Sequence, residues 1–156
     1  MKLEQELKLA QPILSSNHEL ILSLLRTASL IQKRSDVFFS QFGITDAQFN
    51  ILMVLKYNGG VQVSQQDLSA RLVVNKSNVV GLLDRLESNG LLNRKSDARD
   101  RRLNHIVLTA KGKKLVEQVE GAYFDEIDKL LSALSKEETQ VAIAALDKLR
   151  EFVQQQ

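Results

Sequence analysis

The residues of this chain best suited to chemistry form a compact basic run, residues 94–102, with five arginine or lysine side chains and two aspartates. Cations held this close repel one another, so the run is destabilising unless an anion binds it. A helical apolar stripe precedes the run: Val79, Leu82, Leu83 and Leu86. A helix beside a basic hairpin is typical of proteins that bind DNA through a groove-reading helix and a phosphate-binding wing. The spacing therefore predicts a DNA-binding surface within residues 75–108.

Local signals predict the elements that position this run. Asn75 is a good helix N-cap, and Asn89-Gly90 is a typical helix stop. A strand should begin at residues 91–92, and Asn104, Ile106 and Leu108 should share one face of a returning strand. The basic run would then be the tip of a β-hairpin.

Upstream, three further helices are predicted. Asn17 should cap a long helix that runs to about Gln41, and Thr45 with Gln48 has the form of a capping box that opens the next helix. Ser64 should cap a short helix over residues 65–72. Only two valines separate that helix from Asn75, and this layout is a helix-turn-helix.

Two more amphipathic helices follow the hairpin, capped by Thr109 and Ser135. The predicted fold class is therefore mainly α: a winged helix-turn-helix core with a β-hairpin wing, flanked by N- and C-terminal dimerisation helices. We expect one domain over residues 1–156. Residues 44–109 would form the DNA-binding core, and residues 1–43 and 110–156 would form the dimerisation helices.

The charge distribution supports a polyanionic partner. The net charge is only +2, but residues 61–114 hold 11 Lys or Arg against 5 Asp or Glu, whereas residues from 115 onward hold 4 against 9. An ordinary solvated basic face is the alternative explanation. No signal core or membrane-length apolar run occurs, so we expect a cytoplasmic protein without membrane contact.

Nothing in the sequence indicates catalysis, a metal site or a cofactor. His18 and His105 are the only histidines, cysteine is absent, and neither histidine has carboxylates at the spacing of a metal motif. Phosphate-binding loops and hydrolase motifs are also absent. We therefore expect a non-enzyme, with both histidines structural or at the surface.

Candidate DNA-binding residues lie at the helix pair and at the wing. Asn78 suits an adenine, Val80 suits a thymine methyl group, and Arg99 and Arg101 suit a narrow minor groove. Gly81 either allows the helix backbone to approach DNA closely or is merely tolerated in the helix. The predicted DNA-binding residues are Ser64, Gln65, Lys76, Ser77, Asn78, Val80, Gly81, Arg85, Arg94, Arg99 and Arg101. The residues predicted to hold the wing in shape are Asp97, Asp100 and Arg102.

Residues 97–102 match the wing pattern D-x-R-D-x-R of the MarR family of bacterial winged-helix regulators, which the chain resembles. Residues 65–72, 83–87, 90–92 and 108–112 resemble the flanking segments of that family. The resemblance implies a homodimer, a palindromic operator in double-stranded DNA and, often, a small aromatic effector. Gly81 departs from the larger polar residue frequent there, and the missing cysteines exclude the branch that senses peroxide through a thiol.

The sequence thus predicts a ligand-responsive transcriptional repressor. The alternative is a winged-helix module that binds protein and lacks sequence-specific DNA binding. The ligand-binding residues are unknown, although Arg26 or Lys33 could meet a carboxylated effector.

Overall fold

The computed structural model describes residues 3–58, 63–71, 79–96 and 104–155. Most of these residues are helical. The helices are α1 (Leu3–Glu6), α2 (Ser16–Ser40), α3 (Asp46–Lys56), α4 (Gln65–Arg71), α5 (Val79–Ser88), α6 (Ala110–Leu131) and α7 (Lys136–Gln154). The strands are β1 (Val63–Ser64), β2 (Leu92–Ser96) and β3 (Asn104–Leu108). No helix within the described stretches is long and apolar enough to cross a membrane.

Side-chain caps fix where the helices begin. The capping boxes at Thr45 and Ser135 are confirmed: each side chain accepts a hydrogen bond at 3.2 Å from the backbone N–H three residues on, and Gln48 or Glu138 accepts from the cap N–H in return. The predicted cap of α2 at Asn17 is wrong. Ser15 caps this helix by accepting from the N–H of His18 at 3.2 Å.

The three strands form one antiparallel sheet in the order β1-β3-β2. Ile106 of β3 lies opposite Val63 on one side and Arg94 on the other, and Leu92 lies opposite Leu108. Residues directly opposite each other in an antiparallel pair point to the same face. Arg94 therefore shares the sheet face of buried Val63, Leu92 and Ile106.

The core is mainly aliphatic, with a pair of phenylalanines at the junction of α2 and α3. The rings of Phe39 and Phe49 lie 5.0 Å apart between centroids, and both side chains are fully buried. Burying such rings stabilises a fold by several kcal/mol. Other fully buried side chains are Ile51, Leu52, Leu68, Val79, Leu83, Leu86, Leu92, Val116 and Val119.

The chain forms two compact units, Met1–Lys113 and Lys114–Gln156. The boundary lies inside α6, just beyond the predicted end of the core at residue 109. In the first unit, α2 exposes the apolar side chains of Leu20, Ile21, Leu25 and Val37. In the second unit, α7 exposes those of Val141, Ile143, Phe152 and Val153. Exposed apolar stripes of this size are typical of surfaces that another protein chain covers.

Candidate nucleic-acid interface

Helix α5 is fixed to the core by one face and leaves the other in solvent. The predicted apolar stripe is confirmed, because Val79, Leu82, Leu83 and Leu86 are all buried. On the opposite face, Val80 is 48% exposed and Arg85 is also exposed. An α-helix with one anchored face and one free face can enter a DNA major groove.

Helix α4 precedes α5 and packs against it. Its start is a reciprocal cap: Asp67 Oδ2 accepts from the backbone N–H of Ser64 at 2.8 Å and from its hydroxyl at 2.7 Å. The N–H of Asp67 in turn donates to Ser64 Oγ at 3.2 Å. The two bonds from Ser64, backbone first, hold the pKa of Asp67 below its ordinary value of 3.8.

This cap bears on two predicted phosphate contacts. The polar groups of Ser64 are occupied by the Asp67 carboxylate, whereas Gln65 is exposed. The carboxylate also places negative charge where a phosphate was expected. The predicted cap of this helix at Ser64 is confirmed, and phosphate contacts through Ser64 and Gln65 stay predictions.

The base of the hairpin is tied to α5 by Arg94. Its Nη1 lies 2.6 Å from Glu87 Oε2, and its Nη2 lies 2.6 Å from Asp84 Oδ1. The backbone N–H of Arg94 donates to Glu87 Oε1 at 2.9 Å. The backbone bond and then the guanidinium lower the pKa of Glu87, and the two carboxylates raise the pKa of Arg94 in spite of its partial burial.

A second junction joins the end of α5 to the start of α6. Gly90 has φ +70°, a left-handed conformation that glycine adopts without strain. Thr109 Oγ1 donates to Gly90 O at 2.7 Å and accepts from the N–H of Gly112 at 3.0 Å. The N–H of Thr109 donates to Leu91 O at 3.1 Å, and Lys111 Nζ donates to Asn89 O at 2.8 Å. The predicted helix stop at Gly90 and the predicted cap at Thr109 are both confirmed.

The structure places some of the predicted DNA-binding residues together and does not describe others. Val80, Gly81 and Arg85 share α5, where Gly81 is half-buried, and Arg94 lies on the adjoining strand. Eight predicted site residues lie outside the described residues: Lys76, Ser77, Asn78, Asp97, Arg99, Asp100, Arg101 and Arg102. The predicted α5 cap, Asn75, also lies outside them.

Sequence reasoning missed Asp84 and Glu87 as partners of the hairpin. One available signal was their spacing of three residues, which places both carboxylates on neighbouring positions of one helix. The other was strand alternation, which puts Arg94 on the face of Leu92 and so under the helix. Predicted contact of Arg94 with DNA stays a prediction, and its ion pairs give it a second role.

Within the described residues, no group of three or more His, Asp or Glu side chains is placed to hold a metal ion. Arg26, one of the candidates for an effector carboxylate, is paired with a carboxylate of the chain itself. Its Nε lies 2.6 Å from Glu6 Oε1. Contact of Arg26 with an effector stays a prediction and would require competition with Glu6.

Helices α4 and α5 and the β2–β3 hairpin together define a winged helix-turn-helix protein. A model of the MarR family matches residues 42–103. The transcriptional repressor YetL of Bacillus subtilis is 31% identical over 133 residues, 85% of this chain and 80% of YetL. The transcriptional regulator PecS of Dickeya dadantii is 32% identical over 117 residues, 74% of this chain and 70% of PecS. The chain belongs to the MarR family.

Solved structures agree with this assignment. The crystal structure of S. aureus MepR in complex with DNA has a TM-score of 0.78 to this chain at 28% identity, and the match covers 89% of this chain and 99% of MepR. AbsC of Streptomyces coelicolor, a MarR family regulator, has a TM-score of 0.82 at 22% identity and shows the shared fold. The predicted fold class is therefore confirmed.

Proposed function

We propose that this protein is a transcriptional regulator that binds double-stranded DNA sequence-specifically as a homodimer and represses by occupying a promoter. One observation carries the proposal. Four buried residues anchor α5 beside the hairpin, while the face that bears Val80 and Arg85 stays in solvent. That is the arrangement a major-groove helix and a wing require.

Charge and relatives support the same function. The basic excess of residues 61–114 coincides with α4, α5 and the hairpin. YetL is named a repressor, and MepR has been crystallised with DNA. A regulator of this kind works where the chromosome is, so the predicted cytoplasmic location follows from the proposed function.

The homodimer is supported by apolar surface. The exposed apolar side chains of α2 and α7 lie in the segments predicted to dimerise. A two-fold dimer presents two recognition helices, so the operator should be an inverted repeat with half-sites about 10 base pairs apart. Light scattering at micromolar concentration should give the mass of two chains, and a stable monomer would contradict the dimer.

Salt dependence tests DNA binding. A dimer that neutralises about ten phosphates should give a slope of log affinity against log salt near −9. The probe is the duplex that the full chain selects from a random library, and a random duplex of equal length is the control. A slope near zero would contradict the proposal and favour the protein-binding alternative.

Two classes of variant separate phosphate contacts from base reading. Arg99→Ala or Arg101→Ala should weaken binding to the selected and the random duplex alike, by about 1–3 kcal/mol each. Asn78→Ala should change the preferred sequence. If neither class alters base preference, the assignment of Asn78 to the major groove is wrong.

We also propose that the protein releases DNA when a small aromatic effector binds it, and that thiol oxidation plays no part in this release. The chain has no cysteine, so no thiolate is present to oxidise. Operator binding should be unchanged by mild peroxide and weakened by an aromatic carboxylate such as salicylate. If peroxide released the DNA and a thiol reductant restored binding, the proposal that thiol oxidation plays no role would be contradicted. A flat response to a broad aromatic panel would contradict the effector.

A further inference from the structure

Three charged side chains join the recognition helix to the wing. Asp84 and Glu87 of α5 both pair with the guanidinium of Arg94 at 2.6 Å, and Glu87 also accepts the Arg94 backbone N–H. Arg94 therefore makes three hydrogen bonds to one helix from one strand position. We call Asp84, Glu87 and Arg94 the brace.

The negative net charge of the brace is unfavourable for electrostatic attraction to DNA. Its two carboxylates and one guanidinium sum to a charge of −1, and both carboxylates lie on the helix proposed to approach phosphates. Asp84 is the more exposed partner, with 59% of its side chain in solvent, against 36% for Glu87 and 24% for Arg94. Carboxylates near a phosphate backbone weaken binding by repulsion unless another effect outweighs it.

Geometry supplies such an effect. β2 and β3 pair from Leu92 with Leu108 to Ser96 with Asn104, so the path of β2 sets the direction of the described part of the hairpin. β2 leaves α5 through the turn at Gly90, and Arg94 holds the strand to the helix further along, on the sheet face shared with Leu92. The β2–β3 ladder and buried Leu92 hold the strand in the sheet, and the Arg94 contacts add a direct attachment of β2 to α5.

We propose that the brace sets the orientation of the wing relative to the recognition helix, so that both can engage one operator half-site together. Its members are positioning residues, and the inference rests on the proposed DNA-binding function. Electrostatics and positioning make opposite predictions for the loss of a carboxylate. Removing negative charge should strengthen DNA binding, whereas removing a positioning contact should weaken binding to the operator.

The test compares Glu87→Ala and Asp84→Ala in the full chain. Alanine is the best helix former, so neither substitution weakens α5 through helix propensity. Glu117→Ala is the matched control, because it removes the same charge from an exposed position on α6. Affinity is measured at one salt concentration for the duplex selected by the unmodified chain and for a random duplex. Circular dichroism melting checks that each variant is folded.

We expect Glu87→Ala to bind the selected duplex about tenfold more weakly, the equivalent of one lost charge-assisted hydrogen bond, while its affinity for the random duplex is unchanged or higher. Asp84→Ala should change the ratio of the two affinities, selected duplex to random duplex, by a smaller factor. It replaces Glu87→Ala in the test if Glu87→Ala does not fold. Glu117→Ala should leave the ratio unchanged.

Equal or tighter binding of the selected duplex by both brace variants would overturn the inference. An equal loss on both duplexes would also overturn it, because a positioning contact acts on selectivity. If the unmodified chain binds no duplex, or shows no preference between the two, the proposed function itself fails.

Discussion

Gly112 offers the sharpest test of the junction between α5 and α6. A Cβ added there would lie 3.0 Å from the carbonyl carbon of Leu91 and closer still to its oxygen, a separation that real Cβ atoms do not adopt. It would also lie 3.3 Å from a methyl group of Leu108. Because the worst neighbours are backbone atoms, a rotamer change cannot relieve the clash, and the first turn of α6 must move away from Leu91.

That movement has a calculable effect on stability. Overpacking of this kind costs about 1–3 kcal/mol. The same carbonyl accepts the Thr109 N–H at 3.1 Å, and the loss of that bond removes about 1 kcal/mol. The better helix propensity of alanine returns about 1 kcal/mol. We therefore expect Gly112→Ala to lower the free energy of unfolding by about 1–3 kcal/mol.

Gly121→Ala is the matched control in the same helix. Gly121 is exposed, and a Cβ there would have no heavy atom within 4 Å. Helix propensity then acts alone, so Gly121→Ala should raise stability by up to about 1 kcal/mol. One substitution type in one helix should thus change stability in opposite directions.

Urea unfolding followed by circular dichroism is the assay, because the chain contains no tryptophan. Protein concentration must be fixed, since the stability of the proposed homodimer would depend on it. If Gly112→Ala stabilises the protein as Gly121→Ala does, the close packing of α6 against Leu91 is wrong.

Three further predictions concern stability. Ser135→Ala should lower stability by about 1 kcal/mol through loss of the α7 cap, visible as a lower melting temperature, and an unchanged melting temperature would contradict the capping box. Gly90→Ala should lower stability by about 1–2 kcal/mol, measured by urea unfolding, because φ +70° strains a residue with a Cβ; a neutral result would contradict that conformation. The pKa of Glu87 lies below its ordinary value of 4.5 because of the Arg94 backbone N–H and then its guanidinium. The contacts of ionised Glu87 with Arg94 therefore stabilise the fold fully above pH 4.5, and this stabilisation is lost as pH falls through the folded-state pKa. Glu87→Gln should therefore flatten the acid side of a plot of melting temperature against pH, and an identical acid slope would contradict the ion pair.

Local rules predicted much of the fold because the residues involved have one dominant role. Thr45 and Ser135 each have a Gln or Glu three residues on, which leaves little choice of helix start. Ser15, Ser16 and Asn17 are all good caps, so sequence could not choose among them. The structure selects Ser15, which allows α2 to include both of the other candidates.

The site was harder to predict because it depends on pairing between distant elements. A basic residue beside a basic wing predicts phosphate contact, and the sequence alone assigns Arg94 to that role. Its pairing with Asp84 and Glu87 requires the register of β2 against β3 and the packing of α5 on β2. Helical periodicity, in contrast, was sufficient for the buried face of α5, since it depends on one element alone.

The apolar side chains that α2 and α7 leave in solvent have a consequence for the abundance of this protein. The proposed homodimer would be stabilised by mass action, so the protection of each chain would rise with the number of copies already present. Newly made chains at low abundance spend more time open to proteases than chains in an established pool. Valines and leucines such as Val37 and Leu25, at 66% and 62% exposure, thereby link the lifetime of each chain to the size of its population. Dilution in a growing cell would remove this regulator faster than division alone.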